Sequence, residues 1–270
     1  MGAMPGTGDF RGKWALVTGA SAGIGAALAR ELAAHGANLI LTARRKERLE
    51  ALAAELSAMG IQTRTVVADL RDPGAPRHIY DAAQNAGLAV DILINNAGLG
   101  HYGPFINLEV EQELSQVRVN CEAMVALSRL FVPRMAERCL GWVLIVSSLA
   151  SFQPLPYNAT YAATKVFDRF FALGLAAEVE RCGIKVTALC PGPTESEFGL
   201  VAGSAGSFRR YGIQSAEEVA RKGIHALARG KPTIVPSFKG SLSAFIVRFL
   251  PVSLITGTIE KALRPGKKIS

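Results

Sequence analysis

Tyr161 and Lys165 stand four residues apart in the run Tyr-Ala-Ala-Thr-Lys. On a helix that spacing puts both side chains on one face. A phenol ionises near pH ~10 and is a poor acid or base at neutrality. Bringing it to about 7 requires ~3 pKa units, roughly 4 kcal/mol of differential stabilisation. One close cation in a partly dry pocket supplies much of that. Alone, the same spacing also describes an ordinary pair on a helix surface. Ser148, thirteen residues earlier, closes an apolar run, and its hydroxyl can hold a carbonyl or alcohol oxygen beside Tyr161. Asn120, in Val119-Asn120-Cys121, lies inside a long amphipathic pattern. An interior Asn costs helix propensity and needs a reason. A water held near Asn120 and linked to Lys165 gives a proton path to solvent.

A second constellation reads as an anion site. Gly19-Ala-Ser21-Ala-Gly23-Ile24-Gly25 joins an apolar run to a helical pattern. Glycine permits a tight turn and lets backbone N–H groups approach a pyrophosphate, while the following helix aims its positive end at the anion. The spacing differs from the common GxGxxG, and a purely structural strand-to-helix turn is the competing explanation. The next apolar run ends in Thr42-Ala43-Arg44-Arg45-Lys46, with no acid before Glu47. An acid there would accept hydrogen bonds from a ribose 2′-hydroxyl; a guanidinium suits a 2′-phosphate instead. NADP is therefore the expected dinucleotide, with Arg44 as the main contact. Such a charge-assisted bond contributes on the order of 1.5–3 kcal/mol. Asp69, followed by Leu70, is placed to accept from an adenine amino group.

These groups need a frame. Apolar runs at Trp14–Thr18, Asn38–Thr42, Thr65–Ala68, Asp91–Ile94, Trp142–Ser147, Lys185–Leu189 and Thr233–Val235 read as seven strands. Helical patterns lie near 24–36, 45–59, 73–87, 108–138, 158–182 and 215–229. Continuous apolar strands separated by helices predict an α/β fold, a doubly wound, Rossmann-type parallel sheet of seven strands with helices on both faces. Ligands bind such sheets at the carboxyl ends of the strands. The Gly19 turn, Arg44, Asp69, Asn96-Ala97-Gly98, Ser148 and Pro191-Gly192-Pro193-Thr194 all follow strands and so meet at that edge.

Composition narrows the class. In 270 residues, 49% are apolar and 19% charged, enough to bury a full core in one domain. Residues 1–10 read as a flexible lead-in with no apolar signal segment, and residues 237–270 as an apolar-basic extension. The four cysteines have no metal-site spacing, which fits a reducing, cytoplasmic setting. The net charge of +8 invites a nucleic-acid reading. The basic residues are dispersed, no aromatic interleaving accompanies them, and no groove-reading motif is present, so nucleic acid is not expected as a partner.

TGASAGIG, NNAG, Asn120, Ser148, Tyr161-x3-Lys165 and Pro191-Gly192, in this order, resemble the short-chain dehydrogenase/reductase family over about residues 10–236. That resemblance implies Tyr161 as general acid/base and Lys165 as the residue that binds the nicotinamide ribose and lowers the Tyr161 pKa. It implies that Ser148 orients substrate and Asn120 completes a tetrad. Gly19, Ser21, Gly23, Ile24, Gly25, Arg44, Asp69, Leu70, Asn96, Ala97, Gly98, Pro191, Gly192 and Thr194 become expected NADP contacts, with no metal required. The implied reaction is hydride transfer between NADP(H) and a secondary alcohol or ketone. The family motif after the sixth strand often has Thr where this chain has Ser196, and the hydroxyl survives. A rival reading keeps the fold as a non-catalytic NADP sensor or scaffold, which would have no need of Tyr161.

Leu99–Phe105, Leu149–Tyr157 and Glu195–Tyr211 are expected to build the substrate pocket, with Leu99, Tyr102, Phe105, Leu149, Phe152, Leu155, Tyr157, Phe198, Leu200 and Phe208 favouring an apolar carbonyl substrate. Residues 203–207, followed by Phe208, read as a lid. The apolar stretch Leu242–Ile259, broken by Arg248 and Pro251, is a poor spanning helix. It is expected either to lie on an anionic membrane surface or to pack over the substrate mouth or a subunit interface. The helices at 108–138 and 158–182 carry apolar residues on more than one side, and by the resemblance pair between subunits of a homodimer or homotetramer.

Overall fold

The runs rich in Val, Ile and Leu become β1 (Trp14–Thr18), β2 (Asn38–Ala43), β3 (Thr63–Val67), β4 (Val90–Asn95), β5 (Gly141–Val146), β6 (Ile184–Leu189) and β7 (Thr233–Ile234). The structure is a computed structural model that describes residues 9–195, 197–198 and 213–264. The seven strands form one parallel sheet in the order β3-β2-β1-β4-β5-β6-β7. Side chains alternate between two buried faces. Val17, Leu41, Ile94 and Leu144 join one apolar cluster, and Leu16, Ile40, Leu93 and Val143 the other. This is why the strands read as unbroken apolar runs.

Helices cover both faces. α1 (Gly23–Ala34) and α2 (Lys46–Ser57) pack on the first face through Leu28, Leu32, Leu49 and Leu56. α3 (Ala75–Asn85), α4 (Val110–Val117), α5 (Ala123–Glu137) and α6 (Ala159–Val179) follow in the chain. Ile79, Leu127, Phe131 and Ala172 place α3, α5 and α6 on the second face. α7 (Ala216–Ala228) returns to the first through Val219, Ile224 and Leu227. Each fully buried Leu or Ile contributes about 1.5–3 kcal/mol relative to exposure. The chain winds outward from β1 in one direction and from β4 in the other. The β1/β4 boundary is thus the switch point where a crevice opens.

Two features depart from expectation. The pattern over 108–138 is not one regular helix: a π-helical turn, Arg118–Glu122, separates α4 from α5 and contains Asn120. Such turns frequently mark functional sites. Phe10, expected within a flexible lead-in over 1–10, is packed into the fold instead. Phe10 is only 2% exposed and sits edge-on to Trp142, with ring centroids 5.4 Å apart. At the other end, the extension folds into α8 (Phe238–Ile246) and α9 (Val252–Leu263). Among the described residues, no helix is long and apolar enough to cross a membrane.

Phe10→Ala is expected to lower stability by about 3 kcal/mol, the usual cost of emptying a buried phenylalanine site. Urea unfolding of the variant against the parent chain measures it.

Candidate active site

A cavity of about 670 Å³ runs along the carboxyl edge of the sheet. At its phosphate end, Gly19 adopts φ +65°. A Cβ on Gly25 would stand 2.3 Å from the Gly19 carbonyl oxygen and 2.5 Å from Asn96 Nδ2, so no side chain fits there. Asn96 braces this turn. Its Nδ2 donates to the Thr18 carbonyl at 2.8 Å, while Thr18 Oγ1 accepts from the N–H groups of Asn96 and Ala97. The N-terminus of α1 has no side-chain cap and no acid in its first turn. Its free N–H groups, with Gly23, Ile24 and Gly25, line the cavity and suit an anion.

The basic residues after β2 divide their work. Arg44 lines the cavity and has no hydrogen-bond or ion-pair partner among the described residues. Arg45 donates to Ser21 Oγ at 3.1 Å and to Glu197 at 2.7 Å, and Arg48 reaches the other Glu197 oxygen at 2.7 Å. The two guanidiniums hold the Glu197 carboxyl below the usual carboxylate range. Asp69 lines the same end, with Leu70 beside it. Its carboxylate accepts from Arg71 Nε at 2.9 Å, and that hydrogen bond, outweighing burial, lowers its pKa.

At the other end, Ser148, Tyr161 and Lys165 line the cavity together. Ser148 Oγ accepts from the Ala150 N–H at 3.1 Å, capping a short 3-10 turn, and its own proton stays uncommitted among the described residues. The Tyr161 hydroxyl has no hydrogen-bond partner among those residues, and its ring tilts against Phe198 at 5.5 Å. Lys165 Nζ lies 5.8 Å from the Tyr161 ring centroid, so the pair shares one face of α6 as the spacing requires. Pro191, Gly192 and Thr194 complete the lining beyond β6, and Ala97 and Gly98 beyond β4.

Among the expected catalytic and cofactor-binding residues, Asn120 alone does not line this cavity. It is buried, and its side chain is consumed by backbone and helix. Oδ1 accepts from the Leu99 N–H at 2.8 Å, while Nδ2 donates to the Leu99 carbonyl at 2.9 Å and to Thr164 Oγ1 at 2.8 Å. It borders a separate small cavity behind the site, shared with Asp168 and Asn95. Lys165 does not reach toward Asn120 for its partners. Its Nζ donates to the Val146 carbonyl and to Asp168 Oδ2, both at 2.9 Å.

That ion pair is almost wholly buried. Burial works against the Lys165 charge, but the Asp168 carboxylate, the Tyr161 phenol and the Asp168 hydrogen bond outweigh it and raise the pKa. Burial pushes the Asp168 carboxyl upward against the pull of Lys165. An ammonium has three donors. Two are taken, and the third is left for the side that faces the cavity.

The pocket expectations resolve unevenly. Leu99, Leu149, Leu155 and Phe198 line the cavity. Phe105 is exposed, and Phe152 packs under the Arg169 guanidinium. Tyr102 and Tyr157 anchor the tail instead. Tyr157 Oη donates to Glu260 at 2.6 Å, and Tyr102 Oη donates to the Leu263 carbonyl. Ile255, Ile259 and Leu263 of α9 then pack with Ala150, Leu155 and Ala162, closing the tail over the catalytic end. Leu200, Phe208, Ser196 and the lid expected at 203–207 lie outside the described residues.

The family model for short chain dehydrogenases matches residues 13–202. The chain belongs to the short-chain dehydrogenase family. It is 36% identical over 191 residues to a very-long-chain 3-oxoacyl-CoA reductase from Anas platyrhynchos, covering 68% of this chain and 60% of the relative's length. It is 34% identical over 267 residues to dehydrogenase/reductase SDR family member 7B from Bos taurus, covering 94% of this chain and 82% of that one. Among solved structures, a short-chain dehydrogenase from Sphingobium yanoikuyae in complex with NADPH superposes with a TM-score of 0.79 at 27% identity, covering 96% and 99% of the two chains. The chain spans about three fifths of the length of the first of these relatives.

In this short-chain dehydrogenase the motifs placed the cavity floor but not its buried support. Asp168 was missed, although Lys165-x2-Asp168 is itself a helical spacing and the Asp interrupts an apolar run, Val166-Phe167-Asp168-Arg169-Phe170. The apolar tail was expected over the substrate mouth or a subunit interface, but the residues it brings to the cavity, Ser243, Ile259 and Leu263, were not singled out. The repeat Ile255, Ile259, Leu263 was the available signal.

Asp168→Asn keeps a hydrogen-bond acceptor but removes the charge that raises the Lys165 pKa. Isotope-labelled lysine NMR is expected to show Lys165 titrating lower than in the parent, because the Asp168 charge that raises it is gone. With the parent pKa raised above its ordinary value of 10.5, the Lys165 contribution to stability is present below that pH and lost as pH rises through the folded value. In the variant the folded value lies lower, so less stability is lost over that window.

Proposed function

We propose that this oxidoreductase transfers hydride between NADP(H) and a secondary alcohol or ketone, the substrate being apolar. The observation that carries the reading is one continuous cavity: at one end Arg44 and an uncapped helix start, at the other the Ser148 and Tyr161 hydroxyls beside a buried ammonium, with neither Arg44 nor those hydroxyl protons committed to a partner among the described residues. The NADPH complex of the Sphingobium yanoikuyae enzyme supports the choice of cofactor. Here the residues present fit that group. The α1 N-terminus and the Gly19 turn would hold the pyrophosphate, Arg44 the 2′-phosphate, Asp69 the adenine edge and Lys165 the nicotinamide ribose. The bound nicotinamide would supply or accept the hydride.

The chain's own work is to bind, orient and move a proton. Ser148 Oγ–H donates to the substrate oxygen and fixes it beside Tyr161. In reduction, the Tyr161 phenol gives its proton to that oxygen as the carbonyl carbon is reduced; in oxidation the phenolate takes it back. The Lys165 ammonium stabilises the phenolate by Coulomb attraction in a site of low dielectric. Asp168 and the Val146 carbonyl keep that ammonium charged and aimed. Leu149, Leu155, Phe198, Ile213, Ile259 and Leu263 give the substrate end an apolar wall. The name of the Anas platyrhynchos relative, a very-long-chain 3-oxoacyl-CoA reductase, supports a carbonyl on a long apolar chain. A sensor would have no use for a proton donor and an oxygen-binding hydroxyl on the same wall. We also infer a homodimer or homotetramer assembled through α4 and α6, whose Val110, Leu114, Val117, Phe167 and Phe170 are exposed.

Tyr161→Phe is expected to bind NADPH as the parent does and to lose turnover across a panel of aliphatic ketones. Fluorescence titration and initial rates separate the two effects. Arg44→Asp is expected to weaken NADPH by roughly ten- to a hundred-fold while leaving NADH nearly unchanged. Unaltered preference in that variant would overturn the cofactor assignment.

A further inference from the structure

The tail carries two apolar faces. The inner one, Ile255, Ile259 and Leu263, is buried against the catalytic end. The outer one is bare. Phe238 is 84% exposed and Phe249 73%, and Leu242, Phe245, Val252 and Leu254 are exposed with them. Leu242 and Phe245 lie three apart on α8, and Phe249, in the 3-10 turn Val247–Phe249 that follows it, meets the Phe245 ring at 5.1 Å; Gly240 and Ala244 are buried on the other side. A contiguous run of large bare apolar side chains marks a surface that something covers.

The charges say what covers it. From Ser237 to Ile259 the chain has two cations, Lys239 and Arg248, and no acid. Both cations are exposed, and neither has an ion-pair partner among the described residues; the same holds for Lys261 on α9. A second copy docked face to face would bring like charges together with no acid to offset them. A protein core would also have to bury these ammonium and guanidinium groups unpaired. A bilayer with anionic headgroups accepts both features at once: acyl chains take the aromatic side chains, and headgroup phosphates take the cations.

We propose that α8 and the start of α9 form a peripheral docking surface for an anionic lipid bilayer. The segment lies in the interface and does not cross it. Ser243 of α8 and Ile259 and Leu263 of α9 line the main cavity, so the helices that meet the bilayer also wall the substrate end. On the function proposed above, this selects carbonyl substrates that partition into membranes, and they reach the site without crossing bulk water. Docking itself does not depend on that function.

The test is flotation of the full chain with phosphatidylcholine vesicles made with and without phosphatidylserine. The parent chain is expected to float with the phosphatidylserine vesicles and to be released as ionic strength rises. Phe238→Ser combined with Phe249→Ser is expected to lose roughly tenfold or more of the partitioning, with NADPH binding and melting temperature unchanged because both side chains are exposed. Lys239→Glu with Arg248→Glu should remove the salt-sensitive part. No enrichment of the parent on phosphatidylserine vesicles, or equal flotation of the double phenylalanine variant, would overturn the proposal. So would sedimentation showing that this variant only converts an oligomer to monomer, since the occupant would then be a second copy. Failure of NADPH turnover with docking intact would strike the function and leave the surface standing.

Discussion

A charged amine held out of water governs the catalytic end of this molecule. Lys165 is about as buried as a core leucine, and an unpaired ammonium in that position would lose its proton. Asp168 on the same helix and the Val146 carbonyl at the end of β5 prevent this. The arrangement ties helix α6 to the central sheet through an electrostatic contact as well as through packing. The field reaches further than the pair. The Cys121 thiol across the π-helical turn is pushed up to about 12, by burial first and then by Asp168. With Tyr161 one turn away, the sheet edge, the helix and the phenol become one mechanical unit.

The opposite end rests on a different constraint, the close approach of backbones. Gly25 packs against the Gly19 carbonyl and Asn96 at distances no Cβ tolerates. Thr18 and Asn96 stitch the ends of β1 and β4 together across the switch point. Neither residue needs to touch a ligand to matter, because each fixes where the first N–H groups of α1 point. The same economy holds for Asn120, whose amide is spent on clamping the Leu99 backbone.

Much of this was legible in the sequence. Strands buried on both faces must be largely apolar, so β1, β2, β4, β5 and β6 appear as Val, Ile and Leu runs, while the edge strands β3 and β7 are only partly buried and read more weakly; the polar groups that follow the strands fall on one edge. The Tyr161–Lys165 spacing carries its own geometry, because helical periodicity is local. What escaped was set by tertiary contact. Nothing local says that Asp168 turns inward to Lys165, or that Tyr102 and Tyr157 serve as posts for α9 rather than as pocket walls. Asn120 showed that a motif residue can be in place while its side chain serves the backbone. The sequence singled out Arg44 among the basic residues after β2; the fold adds that Arg45 is already bound to Ser21 and Glu197, while Arg44 has no such partner among the described residues.

Tyr157 holds φ +64°, a left-handed conformation that costs a non-glycine residue energy, and its hydroxyl is moored to Glu260 on α9. The match to the family model stops at residue 202, well short of that mooring. A chain trimmed to the boundaries of that match would lose α7 and β7 from the first face and, with Glu260, the weight that holds the loop between Ser148 and Tyr161 in its tensed form. The folded unit is longer than its signature.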